Sequence, residues 1–244
     1  ILQATKNEVT RFEIINYLGI VYKRFEIFDK SYFYLNLGFN EAKKIKALKW
    51  EATFSDGLGS LFFGVKNYKK SNFYYKHSVI IYKKINDFDG LLRSKGNLAL
   101  LQVKNGNKEK TITLFEEIIR DKNATDPVKI KALLSIGNIY LEIKKPSLAI
   151  SYYNKIISIK LIENNKHFKI LLFSNLAECY LNLKQYSIAL KYLKESEILL
   201  KQTPSVEFEA GVYKFYSEIY KQTNQFKLAY ESLLKFNALN DTFL

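Results

Sequence analysis

The stretch NYLGIVYKRFEIFDKSYFYL, Asn16 to Leu35, decides how the chain folds. In it Leu18-Gly19 stands three residues ahead of Tyr22, and a second small residue, Ser31, follows twelve residues after Gly19. The pattern recurs as GLGSLF ending at Phe62, SIGNIY at Tyr140, NLAECY at Tyr180 and FYSEIY at Tyr220, with a weaker copy, GNLALLQ, ending at Gln102. The small residue in the shared register is Gly19, Gly59, Ala99, Gly137, Ala177 and Ser217, at spacings of 40, 40, 38, 40 and 40. A recurrence at a fixed period in this range is the mark of a repeat array, in which each unit buries its apolar face only by stacking on its neighbours.

The second small site repeats with the first: Ser31, Ser71, Thr111, Ala149, Ala189 and Ala229. Three residues before it stand Phe28, Tyr68, Lys108, Pro146, Tyr186 and Phe226. Small residues at two points let paired helices approach closely, and an aromatic near the turn plugs the gap, as an αα-hairpin requires. The low content of Pro (3) and Gly (10) favours long helices. The pattern predicts an all-α fold of about six antiparallel helix pairs. First helices are expected over residues 10–24, 50–65, 90–104, 127–143, 166–184 and 205–223. Second helices are expected over 28–46, 68–85, 108–122, 146–161, 186–202 and 226–240. Asp126-Pro127 and Thr203-Pro204 are expected as caps with Pro in the first turn, and Gly106-Asn107 as a turn. No internal linker interrupts the array, so residues 1–244 are expected to form one domain. Its repeats are placed at 12–51, 52–91, 92–129, 130–169, 170–209 and 210–244, with residues 1–9 as the end of a preceding helix.

These residues resemble the tetratricopeptide repeat family. The family pattern, L-G-x2-Y followed by A-x3-F, is matched by Leu18-Gly19-x2-Tyr22 with Ser31-x3-Leu35. It is matched again by Ile136-Gly137-x2-Tyr140 with Ala149-x3-Tyr153, and by Leu176-Ala177-x2-Tyr180 with Ala189-x3-Leu193. The chain departs from the family in its 40-residue period, in lacking the late Pro of every copy, and in a third copy without the Tyr or the aromatic plugs. The resemblance implies a right-handed αα-superhelix whose first helices line a groove that holds a peptide or protein segment. Carried over to this sequence, the groove positions are Asn16, Tyr17, Asp56, Ser60, Phe63, Arg93, Asn97, Lys131, Asn138, Asn175, Glu178, Lys214, Phe215 and Glu218. Asn138 and Asn175 match two amide positions of the clamp by which some members grip a peptide's terminal carboxylate, but Leu134 stands where the clamp has its first Lys. The resemblance therefore implies gripping of a peptide backbone rather than of its terminus.

Other chemistry finds little footing. His77 and His167 lie in different repeats, and Cys179 sits one residue before a repeat Tyr, where it reads as a core filler. Gly57, Gly59 and Gly64 fall inside an expected helix with no strand before them, so they make no nucleotide loop. No enzyme, metal or cofactor is expected. The 18 Tyr and 18 Phe fall mostly at repeat core positions, which favours packing over base stacking.

The net charge of +14 would suit an anionic partner. Yet only four of the 38 basic residues are Arg (Arg11, Arg24, Arg93 and Arg120), and the Lys look scattered over solvated faces, which argues against nucleic acid. No apolar run reaches the length of a membrane span. The chain starts at Ile1 and contains no Met, so we expect it to be a piece of a longer protein. The long period and the ending LLKFNALNDTFL are similar to the repeat regions of bacterial membrane-anchored signalling proteins. That resemblance implies a sensory or regulatory segment, periplasmic in preference to cytoplasmic, with self-association through the array ends open. The alternatives are a scaffold in a secretion or assembly complex and a cytoplasmic regulator with a basic nucleic-acid-binding surface.

Overall fold

The structure, a computed structural model, describes residues 6–104 and 106–241. Among them are twelve α-helices and no strand: α1 Lys6–Arg24, α2 Phe28–Lys44, α3 Leu48–Gly64, α4 Tyr68–Lys84, α5 Phe88–Lys104, α6 Lys108–Arg120, α7 Asp126–Glu142, α8 Pro146–Ile157, α9 Lys166–Asn182, α10 Tyr186–Gln202, α11 Val206–Gln222 and α12 Phe226–Asn240. Contacts group the chain into two compact units, one up to Ala132 and one from Leu133, the division falling inside α7. Odd-numbered helices are the first members of the repeat pairs and even-numbered ones the second. Within the first unit α3 touches both α1 and α5; within the second α11 touches α9. The first helices thus stand side by side, as a groove wall requires.

Most of the turns between helices share one device. Glu26, Lys46, Lys66, Asn86, Lys144, Lys184 and Asn224 adopt left-handed backbone at φ 57–60°, and Gly106 does so at 82°. The residue after each donates its N–H five residues back, as Ile27 does to Tyr22 at 2.9 Å and Asn67 to Phe62 at 2.8 Å. This is the Schellman closure, which satisfies carbonyls that a helix end would leave bare. From Glu26 to Gly106 these left-handed residues recur every 20 positions. Both connections of a repeat are therefore the same turn, and the true unit there is half the 40-residue period.

Small residues set how closely the paired helices approach. A Cβ on Gly19 would lie 2.6 Å from Leu35, one on Gly59 2.6 Å from Tyr75, and one on Gly137 2.3 Å from Tyr153. The second small site adds a hydrogen bond. Ser31 Oγ donates to the Gly19 carbonyl at 2.8 Å, Ser71 Oγ to that of Gly59 at 2.8 Å, and Thr111 Oγ1 to that of Ala99 at 3.3 Å. The repeat aromatic stacks on a ring twelve residues later: Tyr22 on Tyr34, Phe62 on Tyr74, Tyr140 on Tyr152 and Tyr180 on Tyr192, with centroids 5.5–5.6 Å apart. Around these contacts the first unit gathers Phe12, Ile15, Leu35, Phe54, Leu58 and Leu61, and the second gathers Ile170, Leu193, Val212 and Ile219.

Several expectations need correction. Residues 6–9 open α1 instead of closing an earlier helix, and residues 1–5 lie outside the described residues. The helix expected over 146–161 stops at Ile157, because Ile159 turns extended (ψ 118°) and a 3₁₀ turn then tucks Ile162 into the core. The helix expected to reach 122 stops at Arg120, where Asp121 is extended and its Oδ1 accepts the Asn123 N–H at 2.8 Å. Ser205, not Thr203, caps α11; Thr203 ends α10 instead, and Pro204 lies between them. The aromatic expected as a plug at Phe226 is 65% exposed, since it stands on the outer edge of the last described helix pair. The expected turn at Gly106 is present.

Candidate functional site

In the first unit the wall formed by α1, α3, α5 and α7 carries a connected polar cluster. Asp56 of α3 is at its centre, accepting hydrogen bonds from Ser78 Oγ at 2.8 Å and from Ser94 Oγ at 2.8 and 2.9 Å. Arg93 Nε lies 3.6 Å from Asp56 Oδ2, while the same guanidinium donates to Tyr82 OH at 3.1 Å and to Asp89 Oδ2 at 3.4 Å. Lys131 of α7 donates to Asn97 Oδ1 of α5 at 2.6 Å, and Lys23 of α1 to Ser60 Oγ of α3 at 2.7 Å. Burial pushes the Asp56 carboxyl up, against the pull of its two hydroxyl donors, Arg93 and Lys131. Burial lowers the Lys131 ammonium, Asp56 acts against that, and Arg93 and Lys23 add to it. Lys131 keeps much of its surface open to solvent, so this desolvation is partial. Three cations, Lys23, Arg93 and Lys131, share this wall with two carboxylates, Asp56 and Asp89, and the remaining positive charge suits an arriving anion.

Beside this cluster, a cavity of about 210 Å³ opens between α5, α6 and α7. Leu92, Phe115, Ile118 and Val128 line it, with Arg93 and Lys131 at its edge. It can take one apolar side chain and hold an acidic group next to it.

In the second unit Asn175 Nδ2 of α9 donates to Asn138 Oδ1 at 3.4 Å, and Tyr153 OH donates to the same oxygen at 2.6 Å. Burial raises the Glu178 carboxyl, with Lys214 of α11 lowering it and Glu218 raising it further. Asn138, Asn175, Glu178, Lys214 and Glu218 thus form a second patch on consecutive first helices. An amide carries donor and acceptor together, so Asn138 can accept from Tyr153 and still donate to a peptide carbonyl.

The fourteen expected groove residues do not all play the same part. Asp56 and Asn97 are buried and tie the wall together from within. Phe63 sets its ring 5.8 Å from that of Tyr68, at the base of the α3–α4 turn. Phe215 is half-buried against the core of the second unit. Tyr17 is 68% exposed on α1, with Asn16 half-buried beside it. Lys23, Tyr82 and Asp89 belong to the first cluster and were not anticipated. Lys23 had a signal, since it precedes Phe63 by one 40-residue step. Cys179 is fully buried and its thiol is pushed up to about 12 by burial and Glu178, which leaves it unreactive. His77 Nε2 pairs with the buried Glu51 at 2.8 Å, between the rings of Phe39 and Phe73.

A model of the tetratricopeptide repeat matches residues 130–161. No curated protein matches the sequence significantly. Among solved structures, BtubC from P. vanneervenii is similar with a TM-score of 0.74 at 12% identity, over 88% of this chain and 91% of that one. PilF of Pseudomonas aeruginosa is similar with a TM-score of 0.59 at 15% identity, over 96% and 94%. RapI in its apo form is similar with a TM-score of 0.62 at 12% identity, over 95% and 98%. At these identities the likeness concerns the fold. Such repeats serve as scaffolds for protein–protein interaction and are generally non-catalytic. The 40-residue register, the Gly-to-aromatic packing of the hairpins and the repeat matched at 130–161 together give the chain the all-α repeat fold of tetratricopeptide-repeat proteins.

Proposed function

We propose that the walls of first helices bind an extended peptide segment of a partner protein. The observation that carries this reading is that side chains of neighbouring first helices meet: Lys23 with Ser60, Lys131 with Asn97, and Asn175 with Asn138. Each wall is thus a continuous polar surface, with donors and acceptors suited to a peptide backbone. The wall of the first unit favours an acidic residue beside an apolar one, because Arg93 and Lys131 are among the residues that line the 210 Å³ cavity. We place this binding segment within a larger bacterial signal-transduction protein; the support for that setting is the resemblance in its long, 40-residue period.

Selection from a random peptide library, followed by calorimetry, tests the reading. The selected peptides should be enriched in Asp or Glu next to Leu, Ile or Phe. Lys131→Glu, Lys214→Glu and Asn175→Ala together should weaken binding at least about tenfold, since a charge-assisted hydrogen bond is worth roughly 1.5–3 kcal/mol. Unchanged affinity in that triple variant refutes the assignment.

A further inference from the structure

The lysines are not evenly spread. Helix α4, YKKSNFYYKHSVIIYKK, carries five Lys and no acidic residue. It buries Ser71, Tyr75, Ser78 and Tyr82 on one side. The opposite side presents Lys69, Phe73, Lys76, Ile80 and Lys83, spaced by four, three, four and three, which is one stripe of a helix. Both apolar members of the stripe face solvent, Phe73 at 62% and Ile80 at 66% exposure. One repeat earlier, Phe33 of α2 is exposed at the same register, with Lys43 and Lys44 at the end of its helix and Asp29 at the start. Nearby acids are engaged elsewhere: Glu51 is buried on His77, and Glu41 accepts from Arg11 at 2.7 Å.

We propose that this face of α4 docks on an anionic lipid surface, with Phe73 and Ile80 entering the headgroup boundary and Lys69, Lys76 and Lys83 meeting lipid charge. Exposed large apolar residues flanked by Lys on one stripe are the pattern of helices that lie in a membrane interface. A nucleic-acid face would call for Arg on phosphate and has no use for an exposed Ile at its centre. Lys also suits lipid because its long stem lets the ammonium reach up past an inserted ring. The stripe is on α4, whereas the polar wall is on first helices, so lipid contact and peptide binding are separate events in this reading.

The test is co-sedimentation of the 244-residue chain with vesicles of phosphatidylcholine alone and of phosphatidylcholine with phosphatidylserine. Binding is expected to the mixed vesicles only, and to fall as salt is raised. Each of Lys69→Gln, Lys76→Gln and Lys83→Gln should lower partitioning roughly fivefold, the equivalent of about 1 kcal/mol per basic residue at an anionic surface. Phe73→Ser with Ile80→Ser should abolish it while far-ultraviolet circular dichroism stays unchanged, because both side chains are exposed. In a Phe73→Trp variant, indole emission should shift to the blue on adding the mixed vesicles. No binding to mixed vesicles overturns the proposal. So does binding that survives the Phe73 and Ile80 changes, or an unshifted Phe73→Trp emission. Tight binding to an RNA oligonucleotide that depends on the three Lys but not on Phe73 or Ile80 also overturns it, and assigns the stripe to nucleic acid.

Discussion

The Ser71 hydroxyl donates to the Gly59 carbonyl at 2.8 Å, and twelve residues separate the two, as they separate Ser31 from Gly19. That carbonyl belongs to α3, so the serine adds a tie from the second helix to the first at the point where Gly59 lets them touch. Ser71→Ala should cost about 1 kcal/mol, the net worth of one such bond in a buried site. Gly59→Ala should cost more, about 1–3 kcal/mol, because its Cβ would fall 2.6 Å from the Tyr75 ring. Gly211→Ala, with nothing among the described residues within 4 Å of the new Cβ, should instead stabilise α11 by about 0.5–1 kcal/mol. Urea unfolding of the three variants checks the order, and equal effects would disprove the close-approach argument.

The left-handed turns make a second prediction. Lys46 and Lys66 hold φ near 60° without being glycine. Each L-residue there costs about 1–2 kcal/mol that glycine avoids, less glycine's own larger loss of chain entropy. Lys46→Gly and Lys66→Gly should each raise the stability of the first unit by up to about 1 kcal/mol, with no change in helix content, as read by thermal unfolding.

Asp56 predicts a pH dependence. Burial raises its pKa in the folded protein, so folding favours the protonated carboxyl. The cost of the ionised form is present above the folded pKa and is relieved as pH falls through it. Asp56→Asn removes the titration while keeping an oxygen acceptor for Ser78 and Ser94. Relative to that variant, the native chain should therefore gain stability as the solution is acidified from pH 7. A native chain that loses ground on acidification would show that Arg93 and the serines outweigh burial.

Ser196 is fully buried on α10 and its Oγ has no hydrogen-bond partner among the described residues. Ser196→Ala removes an unsatisfied polar atom, so it should be neutral or stabilise by about 1 kcal/mol in urea unfolding. A clear loss of stability would mean that the hydroxyl is satisfied after all.

The repeat was legible because the features that fix the hairpin are local in sequence. Gly19, Ser31 and Tyr22 lie within one pair of helices, and their recurrence at 40 residues announces the array. Helix ends were legible where the Schellman turn recurs and misread where one residue changes course, as at Ile159 and Asp121. The wall was harder. Lys131 meets Asn97 across 34 positions and Lys23 meets Ser60 across 37, so their partnership depends on how one first helix sits on the next. Residue type alone could not reveal that Asp56 serves Ser78 and Ser94, or that Phe215 leans on the core. The α4 stripe was hidden for the opposite reason. Counting Lys over the whole chain averages away a cluster that only the helix phase assembles.

The central claim is that partners lie along the first helices. Amide hydrogen–deuterium exchange of the chain, alone and saturated with a library-selected peptide, tests it most directly. The account predicts slowed exchange in α1, α3 and α5, or in α9 and α11, with α4, α10 and α12 unchanged. Protection confined to the second helices would contradict it.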